Sequence, residues 1–132
     1  MFKAIISNGA EITAGENVPL SVVMNTNRKT AYNKDDDTVI IREPGYYDVV
    51  FQMTLTDASA SPLYLQLYAN DTLIKEVTAD ITTSTGIETI TLIDVIRVVN
   101  SPDFSNVKLG FRVSGGSADP YNDGLVLIEN RR

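Results

Sequence analysis

The chain has no cysteine and no histidine. Without cysteine there is no disulfide, no thiolate metal site and no thiol nucleophile. Without histidine the commonest general base and the commonest catalytic metal ligand are missing. Serine–histidine and cysteine–histidine mechanisms are excluded by composition. The lack of cysteine leaves the compartment open, because such a chain tolerates both oxidising and reducing surroundings. A basic stripe is lacking as well. The 11 lysines and arginines are scattered, only Arg28-Lys29 and Arg131-Arg132 being adjacent, and 17 acids leave a net charge of −6. Nucleic-acid binding wants clustered cations to neutralise phosphates, and an acidic surface is repelled by anionic lipid. Neither nucleic acid nor membrane is expected as a partner. No apolar run approaches spanning length, and Met1-Phe2-Lys3-Ala4-Ile5-Ile6 is too brief for a secretory signal. The expectation is cytoplasmic synthesis without export.

What is present is ordinary in bulk and distinctive in pattern. At 132 residues, 43% hydrophobic and 21% charged, the chain reads as one domain over 1–132 with enough apolar mass for its own core. Short segments rich in Val, Ile, Thr, Leu and Tyr alternate with Gly, Pro, Asn and Asp. That pattern predicts strands at 4–6, 10–14, 18–24, 28–32, 38–42, 45–55, 63–69, 72–79, 87–99, 107–113 and 124–130. Turn chemistry falls between them, at Asn8-Gly9, Glu43-Pro44-Gly45, Asn70-Asp71 and from Gly115 to Gly124. No window carries apolar residues at helical spacing with a cap. About ten strands and no helix imply an all-β sandwich or barrel.

Several strands have one apolar face. In 46–55, Tyr47, Val49, Phe51, Met53 and Leu55 oppose Tyr46, Asp48, Val50, Gln52 and Thr54; in 107–113, Val107, Leu109, Phe111 and Val113 oppose Lys108, Gly110 and Arg112. Three segments are apolar on both faces. Ile90, Leu92, Ile96 and Val98 oppose Ile93, Val95 and Val99; Leu63, Leu65 and Leu67 oppose Tyr64, Gln66 and Tyr68; Leu125 and Leu127 oppose Val126 and Ile128. A two-layer sandwich offers no third layer, so another subunit is the expected cover. Apolar burial is worth about 25 cal/mol per Å², so leaving Tyr64, Tyr68, Ile93 and Val126 in water forgoes several kcal/mol per subunit. The expected interface is Tyr64, Gln66, Tyr68, Ile93, Val95, Val126 and Ile128, and Val126→Asp is expected to lower the oligomeric state. The alternative is cover by long loops, or ordinary exposed apolar surface.

Three motifs carry a family resemblance. Thr38-Val39-Ile40-Ile41-Arg42-Glu43-Pro44-Gly45-Tyr46-Tyr47-Asp48-Val49 resembles the entry to the central strand of the tumour necrosis factor-like and complement-globular-head superfamily. The stretch Leu63-Tyr64-Leu65-Gln66-Leu67-Tyr68-Ala69-Asn70-Asp71-Thr72-Leu73-Ile74 is similar to its next hairpin, with Asn70-Asp71 where members often carry Asn-Gly. Asp123-Gly124-Leu125-Val126-Leu127-Ile128 resembles its last strand, which returns to the middle of the sheet at the trimer axis. The resemblance implies a two-sheet antiparallel jelly roll of about ten strands, a compact homotrimer, and display or adhesion as its task. The collagen-like stalk, membrane anchor and cysteines of many relatives are absent, which points to the bacterial and phage surface-fibre type.

Four constellations bear on chemistry. Asp35-Asp36-Asp37 offers hard oxygen ligands for calcium, against the alternative of a solvated loop; no other cofactor is expected. Asp119, Tyr121, Asn122 and Asp123 combine an aromatic face with planar hydrogen-bonding groups, as a sugar-binding loop does, and equally compose a connecting loop. Glu88 and Asp94 share a strand face, which is weak ground for an acid–base pair. Asn70-Asp71-Thr72 fits a glycosylation sequon that matters only in a secretory pathway. The expectation is a non-enzymatic homotrimeric display module: a phage head fibre, decoration or tail-associated protein, or a bacterial surface component, in contact with other virion or surface proteins. The rival is a carbohydrate-binding adhesin or receptor-binding tip on the same fold.

Overall fold

The computed structural model describes residues 1–7, 12–26, 29–57, 63–79, 87–99, 107–115, 118–120 and 123–131. Eleven strands follow one another among the described residues: β1 (Phe2–Ile6), β2 (Ser21–Asn25), β3 (Thr30–Asn33), β4 (Thr38–Ile41), β5 (Gly45–Asp57), β6 (Leu63–Ala69), β7 (Thr72–Ala79), β8 (Ile87–Val98), β9 (Val107–Ser114), β10 (Ala118–Pro120) and β11 (Gly124–Arg131). One sheet runs β2–β1–β11–β5–β8, with β10 joining β5 beyond the end of β11; the other runs β3–β4–β9–β6–β7. Every pairing between these strands is antiparallel. This is one of the two forms, sandwich or barrel, that the strand pattern predicts, and the jelly-roll sandwich that the resemblance implies.

Parity along each strand decides what lies between the sheets. Tyr47, Val49, Phe51, Met53 and Leu55 of β5 point inward together with Ile90, Leu92, Ile96 and Val98 of β8. Leu63, Leu65, Leu67, Leu109, Phe111 and Val113 meet them from the other sheet. The layers lock where Phe51 and Phe111 pack edge to face, ring centroids 5.2 Å apart.

The Pro44-Gly45 step has a local cause. Gly45 sits at φ +148°, where an L side chain is strained, and an added Cβ would lie 3.2 Å from the Asn130 carboxamide oxygen. The turn drives Tyr47 into the core, and its hydroxyl donates back to the Glu43 carbonyl at 2.8 Å. Burial raises that phenol's pKa.

Two expectations change. The stretch expected as a strand at 10–14 is none from Ile12 onward; residues 8–11 lie outside the described residues. From Gly15 to Val18 the chain instead runs along β9 in line with β4, with Gly15 N–H donating to Val113 and Val18 N–H to Phe111. Within the segment expected as one long loop, Ala118–Pro120 pairs with β5 as β10.

A third correction concerns the assigned interface. Val126 and Ile128 are fully enclosed in the protomer's own sandwich, at 0% exposure. Val126 lies between Ala4 of β1 and Phe51 of β5, so β11 turns Leu125 and Leu127 outward instead. Gly124 fixes that parity, since it packs where a Cβ would come within 3.2 Å of the Ile6 side chain and 3.0 Å of the Gln52 carbonyl.

Candidate functional site

The remaining interface candidates lie on two surfaces that face opposite ways. Tyr64, Gln66 and Tyr68 stand on the outer face of the five-stranded sheet, across from Ser114, Arg112 and Gly110 of β9. That face is covered from within. The Arg112 guanidinium stacks over the Tyr68 ring, 3.8 Å from its centroid. Gln66 is buried, and its carboxamide donates to the Glu76 carboxylate at 2.7 Å. Ile93 and Val95 stand on the outer face of the six-stranded sheet, 62% and 40% exposed.

On that second face the registers place Met24, Lys3, Leu127, Val50 and Ile93 side by side across five strands. At about 4.8 Å between strands this row is about 19 Å long. Ile5 and Leu125 extend it on one side, and Val95 on the other. Beyond them the surface turns polar. Arg131 pairs with Asp48 at 2.6 Å and Arg97 lies over Tyr46 at one end. Thr54 and Thr89 join hydroxyls at 2.8 Å at the other. A centre that is apolar but for Lys3, inside a polar rim, is the layout of a protein–protein contact.

The acidic turn between β3 and β4 scatters its carboxylates. Asp36 accepts from the Thr38 hydroxyl at 2.6 Å and the Thr38 N–H at 3.2 Å, which hold its carboxyl below the usual range with help from Lys108. Asp37 accepts from the Tyr32 hydroxyl, and Asp35 donates its N–H to Asn33. Among the described residues no three His, Cys, Asp or Glu converge to hold a metal ion.

Tyr32 ties this turn to the chain before β2. Its oxygen also accepts from the Leu20 N–H at 3.0 Å. Burial, then the bond to Asp37, push its pKa from 10.0 to about 12. The phenol keeps its proton in the folded protein while the unfolded chain ionises. Its contribution to stability is therefore complete below pH 10 and lost as pH rises toward 12. Tyr32→Phe is expected to flatten the fall of the urea midpoint over that range; equal slopes in the two proteins would contradict the assignment.

Of the expected sugar loop, Asp119 lies in β10 opposite Thr56, Asp123 is exposed just before β11, and Tyr121 and Asn122 lie outside the described residues. Glu88 and Asp94 do share a face, but six residues along a strand separate them by about 20 Å, which rules out a working pair. The Glu88 Oε2 is enclosed and unpartnered.

A cleft of about 270 Å³ lined by polar residues crosses the outer face of the five-stranded sheet, and no sequence motif announces it. Gly110 leaves a gap between Lys108 and Arg112, and the Asn17 carboxamide fills its floor; a Cβ on Gly110 would come within 2.3 Å of the Asn17 oxygen. That oxygen accepts from Arg112 Nε at 2.8 Å, and Asn17 Nδ2 donates to the Asp36 carbonyl at 3.0 Å. At one end Arg112 Nη2 donates to Asp71 at 2.6 Å; at the other Lys108 lies 3.7 Å from Asp36. Asn70 and Asp71, at φ +49° and +66°, make the β6–β7 turn. The turn is pinned to the sheet by Lys108 N–H donating to Asn70 Oδ1 and Asn70 N–H to the Lys108 carbonyl, both at 2.9 Å.

No family model and no curated protein sequence matches the chain. Solved structures do. Murine APRIL at pH 5.0 superposes with a TM-score of 0.70 at 12% identity, over 97% of this chain and 98% of that one. Rabbit GITRL gives 0.59 at 14% identity, over 100% of this chain and 95% of that one. At such identities the likeness shows the fold: a tumour necrosis factor-like jelly roll.

Proposed function

We propose that the chain is a non-catalytic module that closes on itself as a homotrimer and presents its outer faces as a display or structural part. The observation that carries this reading is the row Met24, Lys3, Leu127, Val50 and Ile93 on the six-stranded sheet, apolar but for Lys3 and exposed at both ends. A second apolar set lies elsewhere. Leu73 and Ile74 are exposed on β7, the edge strand beside β8, while Val22, Val23 and Met24 are exposed on β2 at the opposite edge. A two-fold contact pairs one patch with itself. Two different patches on opposite flanks suit a head-to-tail contact, which closes as a ring. The β7–β8 edge of one copy against the face and β2 edge of the next covers both sets at once. It also shelters two edge strands that would otherwise invite aggregation. The superfamily resemblance supports a ring of three.

The lack of cysteine favours a phage head fibre, decoration or tail-associated protein, or a bacterial surface component, over a cytokine-like signal. Light scattering after size exclusion is expected to give the mass of three 14.5 kDa chains at micromolar concentration. A monomer under those conditions overturns the reading.

A further inference from the structure

The geometry points to the cleft around Gly110 as a binding site for a neutral saccharide. This goes beyond self-assembly and does not depend on it, since the cleft lies on the sheet facing away from the apolar row. Three features argue for it. The first is charge balance. Each cation already has its anion within 4 Å, Arg112 with Asp71 and Lys108 with Asp36. An anionic ligand would have to compete with those carboxylates, and a cationic one with the guanidinium and ammonium. A polyhydroxylated neutral ligand meets no such penalty. Each sugar hydroxyl both donates and accepts, so adjacent hydroxyls can bridge a carboxylate and a cation in one step, through charge-assisted bonds.

The second feature is rigidity. Arg112 is held by Asn17, by Asp71 and by the Tyr68 ring at once. Asn70 is pinned to Lys108 through both backbone directions. The donors and acceptors are set before any ligand arrives, which reduces the ordering cost of binding. The third is shape. The cleft, at about 270 Å³, lies just under the span of about 300–1,000 Å³ usual for small-ligand pockets, which suits a ligand as small as one sugar unit. A second depression of about 330 Å³ adjoins it across Asn17, sharing Asp36 and Arg112 with it. A second linked unit can therefore reach past Asn17 into that depression, whose added Glu16, Asp35 and Asp37 accept from hydroxyls.

The test begins with a printed array of neutral and sialylated glycans, followed by titration of the strongest neutral oligosaccharide into ¹⁵N-labelled protein. The expected result is binding of neutral glycans, with shifts at Asn17, at Asn70 and Asp71, and from Lys108 to Arg112. Asp71→Asn, which tolerates the left-handed turn, and Lys108→Ala, on an exposed strand position, should each weaken binding about tenfold or more with spectra otherwise unchanged. Ile93→Asp should leave the single-site affinity as it is, which separates this proposal from the trimer. Preference for sialylated glycans, no neutral glycan bound, shifts gathered around Asp123 instead, or wild-type affinity in both cleft variants overturns it.

Discussion

Ile93→Asp is expected to turn the assembled protein into folded monomers. The side chain stands proud of β8 with most of its surface exposed in the protomer, so the isolated fold has little to lose. In the proposed ring the same position ends the row that meets another copy, where a carboxylate would be buried without a partner. An unpaired buried charge costs about 3–5 kcal/mol, which weakens each contact by about two to three and a half powers of ten. A three-fold ring repeats the fault at every contact. Circular dichroism should stay that of a β protein while light scattering reports one chain. The apparent melting temperature should lose its dependence on concentration, because that dependence comes from assembly. Leu73→Asp on β7, at the same β7–β8 edge, should do the same, while Lys34→Asp on the β3–β4 turn should do nothing. If Ile93→Asp keeps the wild-type mass, the apolar row is not where copies meet.

The sequence disclosed the sandwich because most strands here have one polar face, and alternation then fixes parity. Strand β5 is the clear case, with inward Tyr47 to Leu55 fully buried as the pattern demands. What alternation cannot say is which side of a doubly apolar strand is inside. The answer for β11 was nevertheless written further along it. Glu129 and Arg131 share parity with Leu125 and Leu127, and a face that ends in two charges near a chain's surface edge is the outer one. In β6 the polar tips of Tyr64 and Tyr68 marked the outer side, but nothing local foretold that Arg112 would lie on Tyr68. The cleft was invisible for the same reason. Asn17 and Arg112 are 95 residues apart in sequence and Asp71 and Arg112 are 41 apart, and each alone is an unremarkable polar residue. The one legible hint was Gly110, a gap between two cations on an otherwise filled polar face.

Val126→Asp should behave quite differently from Ile93→Asp, although both place a carboxylate in an apolar segment. Val126 is in register with Ala4 on one side and Phe51 on the other, and Phe51 in turn meets Phe111 across the sandwich. Among the described residues no cation is buried in that layer: the residues in register with Val126 and Phe51 are aliphatic or aromatic, among them Leu92, which pairs with Phe51. A carboxylate there must either stay charged in a dry core or take up a proton to avoid it, and even the neutral acid leaves polar atoms without partners. Domains of this kind are stable by about 5–15 kcal/mol in all. A loss of several kcal/mol at the centre of the sheet-to-sheet contact consumes most of that. The expected result is therefore not a smaller oligomer but a chain without a cooperative unfolding transition, recovered from the insoluble fraction or lacking β-sheet circular dichroism. Val126→Thr, close in shape and uncharged, should fold and assemble with a midpoint lowered by about 1–3 kcal/mol for the buried hydroxyl. A soluble, folded Val126→Asp monomer would show instead that β11 presents Val126 to a neighbouring copy, and that the parity of the central strand is the reverse of the one described.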